Sequence, residues 1–144
     1  MEQDGALRNS MKSQQEIIED FDVFEDWMEK YQYIIDLGKD LHPLNAQEKT
    51  DENKLQGCQS QVWIVHEIRE DNKLYFRAES DAAIVAGLVA LVLSIYSGKM
   101  PSEILKTPPT FIGKIGLDKH LSSTRSNGLS SLLNKIQEIA QSYS

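Results

Sequence analysis

Ile17, Ile18, Phe21 and Phe24 recur at intervals of one, three and three residues, the spacing that gathers apolar side chains on one face of an α-helix. Ser13-Gln14-Gln15-Glu16 precedes them with capping-box spacing: the Ser hydroxyl can accept from the backbone at Glu16, whose carboxylate reaches back to the Ser amide. A second helix is predicted from about Asp26 to Leu37, with Trp27, Tyr31, Ile34 and Ile35 near one face. Gly38 is placed to end it as a left-handed C′ residue. Residues 39–53 lose the pattern. They are polar, interrupted by Pro43 and Asn45, and predict a long loop.

Val62-Trp63-Ile64-Val65 is short, β-branched and aromatic, as in a strand covered on both faces. Glu70-Asp71-Asn72 predicts a turn, after which Leu74, Phe76 and Ala78 alternate with Tyr75, Arg77 and Glu79. Two such runs make an antiparallel hairpin. Ser80 and Asp81 are placed to cap the next helix, whose Ile84, Val85, Leu88, Leu91, Val92 and Ile95 form a wide apolar face. Gly98 stops it, and Pro101 suits the first turn of a short helix. Pro108-Pro109 then separates a small Phe111–Ile115 segment. The last helix carries Leu129, Leu132, Leu133, Ile136, Ile139 and Ala140 on one stripe. This order predicts an α+β fold, with helices packed on a small antiparallel sheet of about three strands. Residues 1–12 are polar and aperiodic and predict a loose tail; residues 13–144 predict a single domain.

Composition narrows the function classes. Of 144 residues, 40% are hydrophobic and 26% charged, which suits one globular domain. The longest apolar run, Ala82 to Ile95, is interrupted by Gly87 and Ser94 and falls short of the ~20 residues of a membrane span. No basic stretch followed by an apolar one opens the chain, so no secretory signal and no membrane partner are expected. The net charge of −7 argues against nucleic acid, whose phosphates require clustered Lys and Arg. Residues 1–54 hold 14 acidic and 6 basic residues, a net of −8, whereas residues 55–144 hold 8 and 9, a net of +1. Such asymmetry gives a solvated acidic face or helps orient a protein partner. One cysteine, Cys58, cannot form an internal disulfide or supply the several thiolates of a structural zinc or iron–sulfur site. A lone thiol suits a reducing, cytoplasmic setting. His42 and His66 have no ligand spacing with each other or with Cys58, so no metal and no cofactor are assigned.

Cys58 lies in Leu55-Gln56-Gly57-Cys58-Gln59-Ser60-Gln61, between the polar loop and the first strand. Gly57 permits a tight bend and removes a side chain beside the sulfur. Gln59, Ser60 and Gln61 bring hydrogen-bonding groups where a core strand would bring apolar ones. A thiol at a bend can be presented to another protein. Its thiolate can attack a partner's persulfide and later release the outer sulfur. One thiol suffices for that cycle, since a second would discharge the persulfide as a disulfide. The residues alone leave other readings open: an inert buried cysteine in an interaction module, or a hydrolase or acyltransferase pairing Cys58 with His120.

Gly57-Cys58-Gln59-Ser60-Gln61-Val62-Trp63 resembles the signature of the SufE family of sulfur acceptors. Ser80-Asp81-Ala82-Ala83-Ile84-Val85-Ala86-Gly87-Leu88, and His120-Leu121 followed by Arg125 and Gly128-Leu129, are similar to further family motifs. Trp27 to Ile35 resembles the family's amino-terminal helix. The resemblance covers roughly residues 15–142. It implies a compact α+β domain similar to IscU-type scaffolds, without their trio of cysteines. It also implies that Cys58 receives persulfide sulfur from a SufS-type, PLP-dependent cysteine desulfurase and delivers it to a SufBCD-type scaffold for iron–sulfur cluster assembly. The chain would then be an accessory activator of the desulfurase rather than an independent enzyme. A homodimer is compatible with this reading.

Four residues are candidates to support Cys58. Arg125 carries a permanent charge that could favour a sulfur anion within about 4–6 Å. Its place near a helix start, where a cation is not favoured, argues against a merely incidental charge. Asp81 reads as an N-cap, and the resemblance adds a role in holding the Cys58 loop. Gln59 offers hydrogen bonds beside the thiol. His120, near Asp118, is either a structural histidine or an acid–base group.

Overall fold

The computed structural model describes residues 13–144, so the tail expected for residues 1–12 lies outside the described residues. Helix α1 runs Gln14–Phe21 and α2 Trp27–Gly38. Ser13 and Glu16 close the expected capping box on α1, and Asp26 caps α2 by accepting from the Glu29 amide. Strands β1 (Val62–Ile68) and β2 (Leu74–Ser80) form the antiparallel hairpin, with Val62 opposite Ser80 and Ile68 opposite Leu74. Helix α3 (Ala83–Tyr96) follows, then the short α4 (Pro101–Leu105), α5 (Phe111–Ile115) and α6 (Leu117–His120), and the long α7 (Ser123–Ser142).

The α+β class holds, but among the described residues the sheet has two strands rather than three. The remaining pairings are single bridges, Lys54 opposite Trp63 and Lys99 opposite Leu74. The bend at Gln56-Gly57 follows Lys54 too soon for the first bridge to extend into a strand.

Helix α3 organises the molecule. Ten of its fourteen residues are buried, so it is apolar nearly all round and is enclosed by neighbouring elements rather than laid on a surface. It packs on α2, β2 and α7. Its approach to α2 is close enough to exclude a side chain: a Cβ on Gly87 would lie 2.0 Å from the Ile34 carbonyl oxygen, and one on Gly38 would lie 2.6 Å from the Gly87 nitrogen. Gly38 is therefore not the left-handed terminator expected. It is the last helical residue of α2, and a packing requirement explains it. Gly98 does take a left-handed conformation, φ +79°, just beyond α3.

The Ser80-Asp81 cap also needs correction. The N-cap of α3 is Ala82, with no side-chain cap hydrogen bond. Ser80 Oγ accepts from the Ala82 amide at 3.3 Å, while the Asp81 carboxylate turns to the Gln61 amide at 3.0 Å. The loop preceding β1 takes the oxygen that the helix start would have used.

The polar stretch before β1 is tied to the hairpin through Glu79, which accepts from the Leu44 amide at 2.8 Å and pairs with Lys49 at 3.1 Å. A Glu48–Arg77 ion pair adds to it.

Candidate functional site around Cys58

Cys58 sits on a six-residue loop, 56–61, whose ends are joined by a 2.7 Å hydrogen bond from the Leu55 amide to the Val62 carbonyl. The next rung, Ile64 amide to Asn53 carbonyl at 2.9 Å, continues that stem. Gly57 occupies the left-handed region, φ +87°, where an L side chain is strained. A Cβ there would also lie 2.6 Å from Ser131 Oγ on α7. On its carboxyl side the loop is held to the start of α3 by two bonds. The Gln61 amide donates to Asp81 Oδ1 at 3.0 Å, and the Asp81 amide donates to the Gln61 carbonyl at 3.2 Å.

This seat brings the thiol against α7. The S–H can donate weakly to the Gly128 carbonyl, with Sγ 3.9 Å from the oxygen. A Cβ on Gly128 would approach Sγ to 3.1 Å, so the bare glycine leaves room for the sulfur. Cys58, Gly128 and Arg125 line a cavity of about 30 Å³ whose other walls are apolar, among them Val62 from β1, Leu88 from α3 and Leu132 from α7. A space of that size exceeds the ~10–15 Å³ needed for one water-sized probe. Half-burial in these walls pushes the Cys58 thiol above its ordinary range, because the thiolate is less well solvated there.

Arg125 stands in the first turn of α7, with its amide donating to Ser122 Oγ at 3.3 Å. Arg125 lines the Cys58 cavity, and its guanidinium donates from Nη1 to the Tyr31 hydroxyl of α2 at 2.8 Å. Arg125 and Cys58 thus meet at one cavity, while Asp81 holds the root of the loop through Gln61 and does not line that cavity. Gln59 is exposed on the same loop.

His120 is placed differently. It is exposed at the end of α6, its ring stacked on Trp27 with centroids 4.1 Å apart and planes 14° from parallel. It does not line the cavity that holds Cys58. His66 lies on β1, with Nε2 3.3 Å from the Tyr143 hydroxyl. Burial, and then the charge of Lys135, push His66 below its usual value. A larger cavity of about 170 Å³ between α1, α2, β2 and α3 includes His42 but none of the motif residues near Cys58.

The roles of three contributors, Tyr31, Gly128 and Ser131, are not evident in the sequence. Tyr31 reads as core on the apolar stripe of α2. Its only clue is a hydroxyl on that stripe, which needs a partner when half-buried. Gly128 falls in a family-like motif that gives no hint of what it faces, and Ser131 carries no local signal, since their proximity to the loop depends on how α7 meets it.

The comparisons with known sequences agree on one family. The SufE domain, described as an Fe–S metabolism associated domain, matches residues 15–140. An uncharacterised SufE-like protein of Rhizobium meliloti is 49% identical over 135 residues, covering 91% of this chain and 96% of its own. Another, from Rhizobium etli, is 47% identical over 135 residues, covering 91% of each chain. A hypothetical protein from Thermus thermophilus, solved in solution, shares the fold with a TM-score of 0.74 at 17% identity, covering 90% of this chain and 94% of that one. With the family domain spanning nearly all of the described residues, and Cys58 on a closed loop within it, the chain belongs to the SufE family of Fe–S metabolism.

Proposed function

We propose that this protein carries sulfur as a persulfide on Cys58, taking it from a SufS-type, PLP-dependent cysteine desulfurase and passing it to a SufBCD-type scaffold. The observation that carries the reading is the seat of the thiol: the sole cysteine, on a bend, facing a small and mostly apolar cavity. In the transfer step the Cys58 thiolate attacks the outer sulfur of the partner's cysteine persulfide. A new S–S bond forms on Cys58, the partner's S–S bond breaks, and the partner's cysteine leaves as thiolate. The sulfane sulfur keeps its oxidation state, and no external oxidant is required. Taking up the sulfur relieves the desulfurase of its product, which would raise its turnover.

The resting seat suits storage better than attack. Burial that raises the thiol's pKa lowers the thiolate fraction at neutral pH. The apolar walls would keep oxidants and small thiols from a stored persulfide. Reaction then requires the loop to leave α7 on docking, and its two Gln61–Asp81 bonds form a short hinge at the α3 end. The cytoplasm, where thiols stay reduced, is the proposed compartment. Pairing of Cys58 with His120 for hydrolysis has no hydrogen bond to support it among the described residues, because the imidazole is stacked on Trp27.

Intact mass after incubation with a desulfurase and free cysteine tests the proposal. The expected gain is one sulfur, about 32 Da, located on Cys58. Cys58→Ser should keep the fold yet take no sulfur and give no acceptor-dependent stimulation, since an alkoxide is inaccessible near neutral pH. Full stimulation by the Ser variant would mean that the protein acts on the desulfurase by contact alone.

A further inference from the structure

We propose that Tyr31 is a positioning residue for sulfur transfer: its hydroxyl holds the Arg125 guanidinium at the mouth of the Cys58 cavity. The inference rests on the sulfur-carrier reading and extends it to a residue on a different element, 27 residues before the cysteine in sequence.

Arg125 is the cation lining the cavity that receives the sulfur. It is an exposed side chain on the first turn of α7, and a long exposed arginine ordinarily samples many rotamers. The positive end of the α7 dipole repels it as well. The Nη1 bond to Tyr31 Oη, at 2.8 Å, restrains the head of this side chain, whose residue lines the cavity. A guanidinium is planar with five donors in a fixed fork. Holding one donor narrows the positions the guanidinium can take and leaves its other donors unused by Tyr31.

Tyr31 is a rigid post. It is half-buried against the core on α2, and α2 is locked to α3 through the Gly38–Gly87 approach. Helix α3 in turn supplies Val85, Leu88 and Val89 to the cavity wall. Post, wall and cation thus belong to one packed unit, whereas the sulfur rides on the loop. A persulfide is more acidic than its parent thiol and is carried as an anion near neutral pH. The held cation is charge-matched to that species more than to the resting thiol.

The test is a double-mutant cycle on the full chain with Tyr31→Phe, Arg125→Met and the pair, with thermal melting to follow the fold. Two quantities are read: the rate at which Cys58 takes sulfur from a desulfurase, by intact mass, and the pH midpoint of Cys58 alkylation by iodoacetamide. Tyr31→Phe removes one oxygen and keeps the packed ring. It should slow sulfur uptake about three- to tenfold and raise the alkylation midpoint, in the direction that Arg125→Met does. In the Arg125→Met background it should change neither. Additive losses, or a midpoint that Tyr31→Phe leaves unmoved, would overturn the proposal. So would a lowered midpoint, which would mean that Tyr31 holds the guanidinium away from the sulfur. If wild-type protein takes up no sulfur, the carrier reading fails instead, and the alkylation cycle still decides whether Tyr31 acts through Arg125.

Discussion

At Cys58 the chemistry is set by a conflict between storage and attack. Attack needs a thiolate, and half-burial against apolar walls disfavours one. The isolated protein is therefore predicted to show an alkylation midpoint above that of a free thiol, about 8.5. Urea-unfolded protein should return to that ordinary value. The same shift acts on stability. Because the folded pKa lies above the unfolded one, the thiol's contribution is fully present below about pH 8.5 and is lost as pH rises through the folded value. Cys58→Ser should flatten that alkaline part of the stability profile, as measured by urea unfolding between neutral pH and about pH 10. If wild-type alkylation instead tracks a free thiol, the loop rests open in solution, and the proposed shelter for the persulfide fails with it.

Two inter-element joints determine whether the site can form. The first is the crossing of α2 and α3. Gly87→Ala would place a methyl carbon 2.0 Å from the Ile34 carbonyl, and backbone cannot yield as a side-chain tip can. Overpacking of this kind costs about 3 kcal/mol. For a chain of this length that lowers the melting temperature by about 6–12 °C, readable by circular dichroism. A loss under about 1 kcal/mol would show that the helices separate easily. The second joint is the Gln61–Asp81 pair at the root of the loop. Asp81→Ala leaves α3 without loss of a cap, since Ala82 is the N-cap and makes no side-chain bond. Melting should therefore change little, while misplacement of the loop slows sulfur uptake about three- to tenfold. A large melting shift with normal uptake would reassign Asp81 to the helix start.

Across the whole molecule, the charge is lopsided. Residues 1–54 are strongly acidic and the remainder is nearly neutral; of the acidic part, α1, α2 and the turns before β1 lie within the described structure. Such a field speeds the meeting of a protein with a complementary partner, and salt screens it over about 8–10 Å. Stimulation of a desulfurase is predicted to need more of this protein as NaCl rises from about 50 to about 500 mM, with the maximal rate held. A half-saturating concentration that ignores salt would leave the acidic half as a solubility feature.

The amino-acid pattern by itself determined most of the elements, because each depends on neighbours in sequence. The capping box at Ser13, the alternation from Leu74 to Glu79 and the stripe from Leu129 to Ala140 are short-range signals of that kind. Cys58 was legible too, since no other residue offers a thiol and the motif around it is contiguous. Misreadings came where a residue's task is set by a distant segment. Gly38 ends α2 as expected of its position, yet its lack of a side chain serves Gly87, 49 residues on. Asp81 has the form of a cap, yet its carboxylate is drawn to Gln61 across the hairpin. Tyr31 looked like core, and only the arrival of α7 brings Arg125 to its hydroxyl. Sequence spacing can fix which face of a helix is apolar, but not which atom of another element will meet a polar tip. That meeting is decided when the helices pack, because packing alone brings distant segments within the three ångströms or so that a hydrogen bond requires.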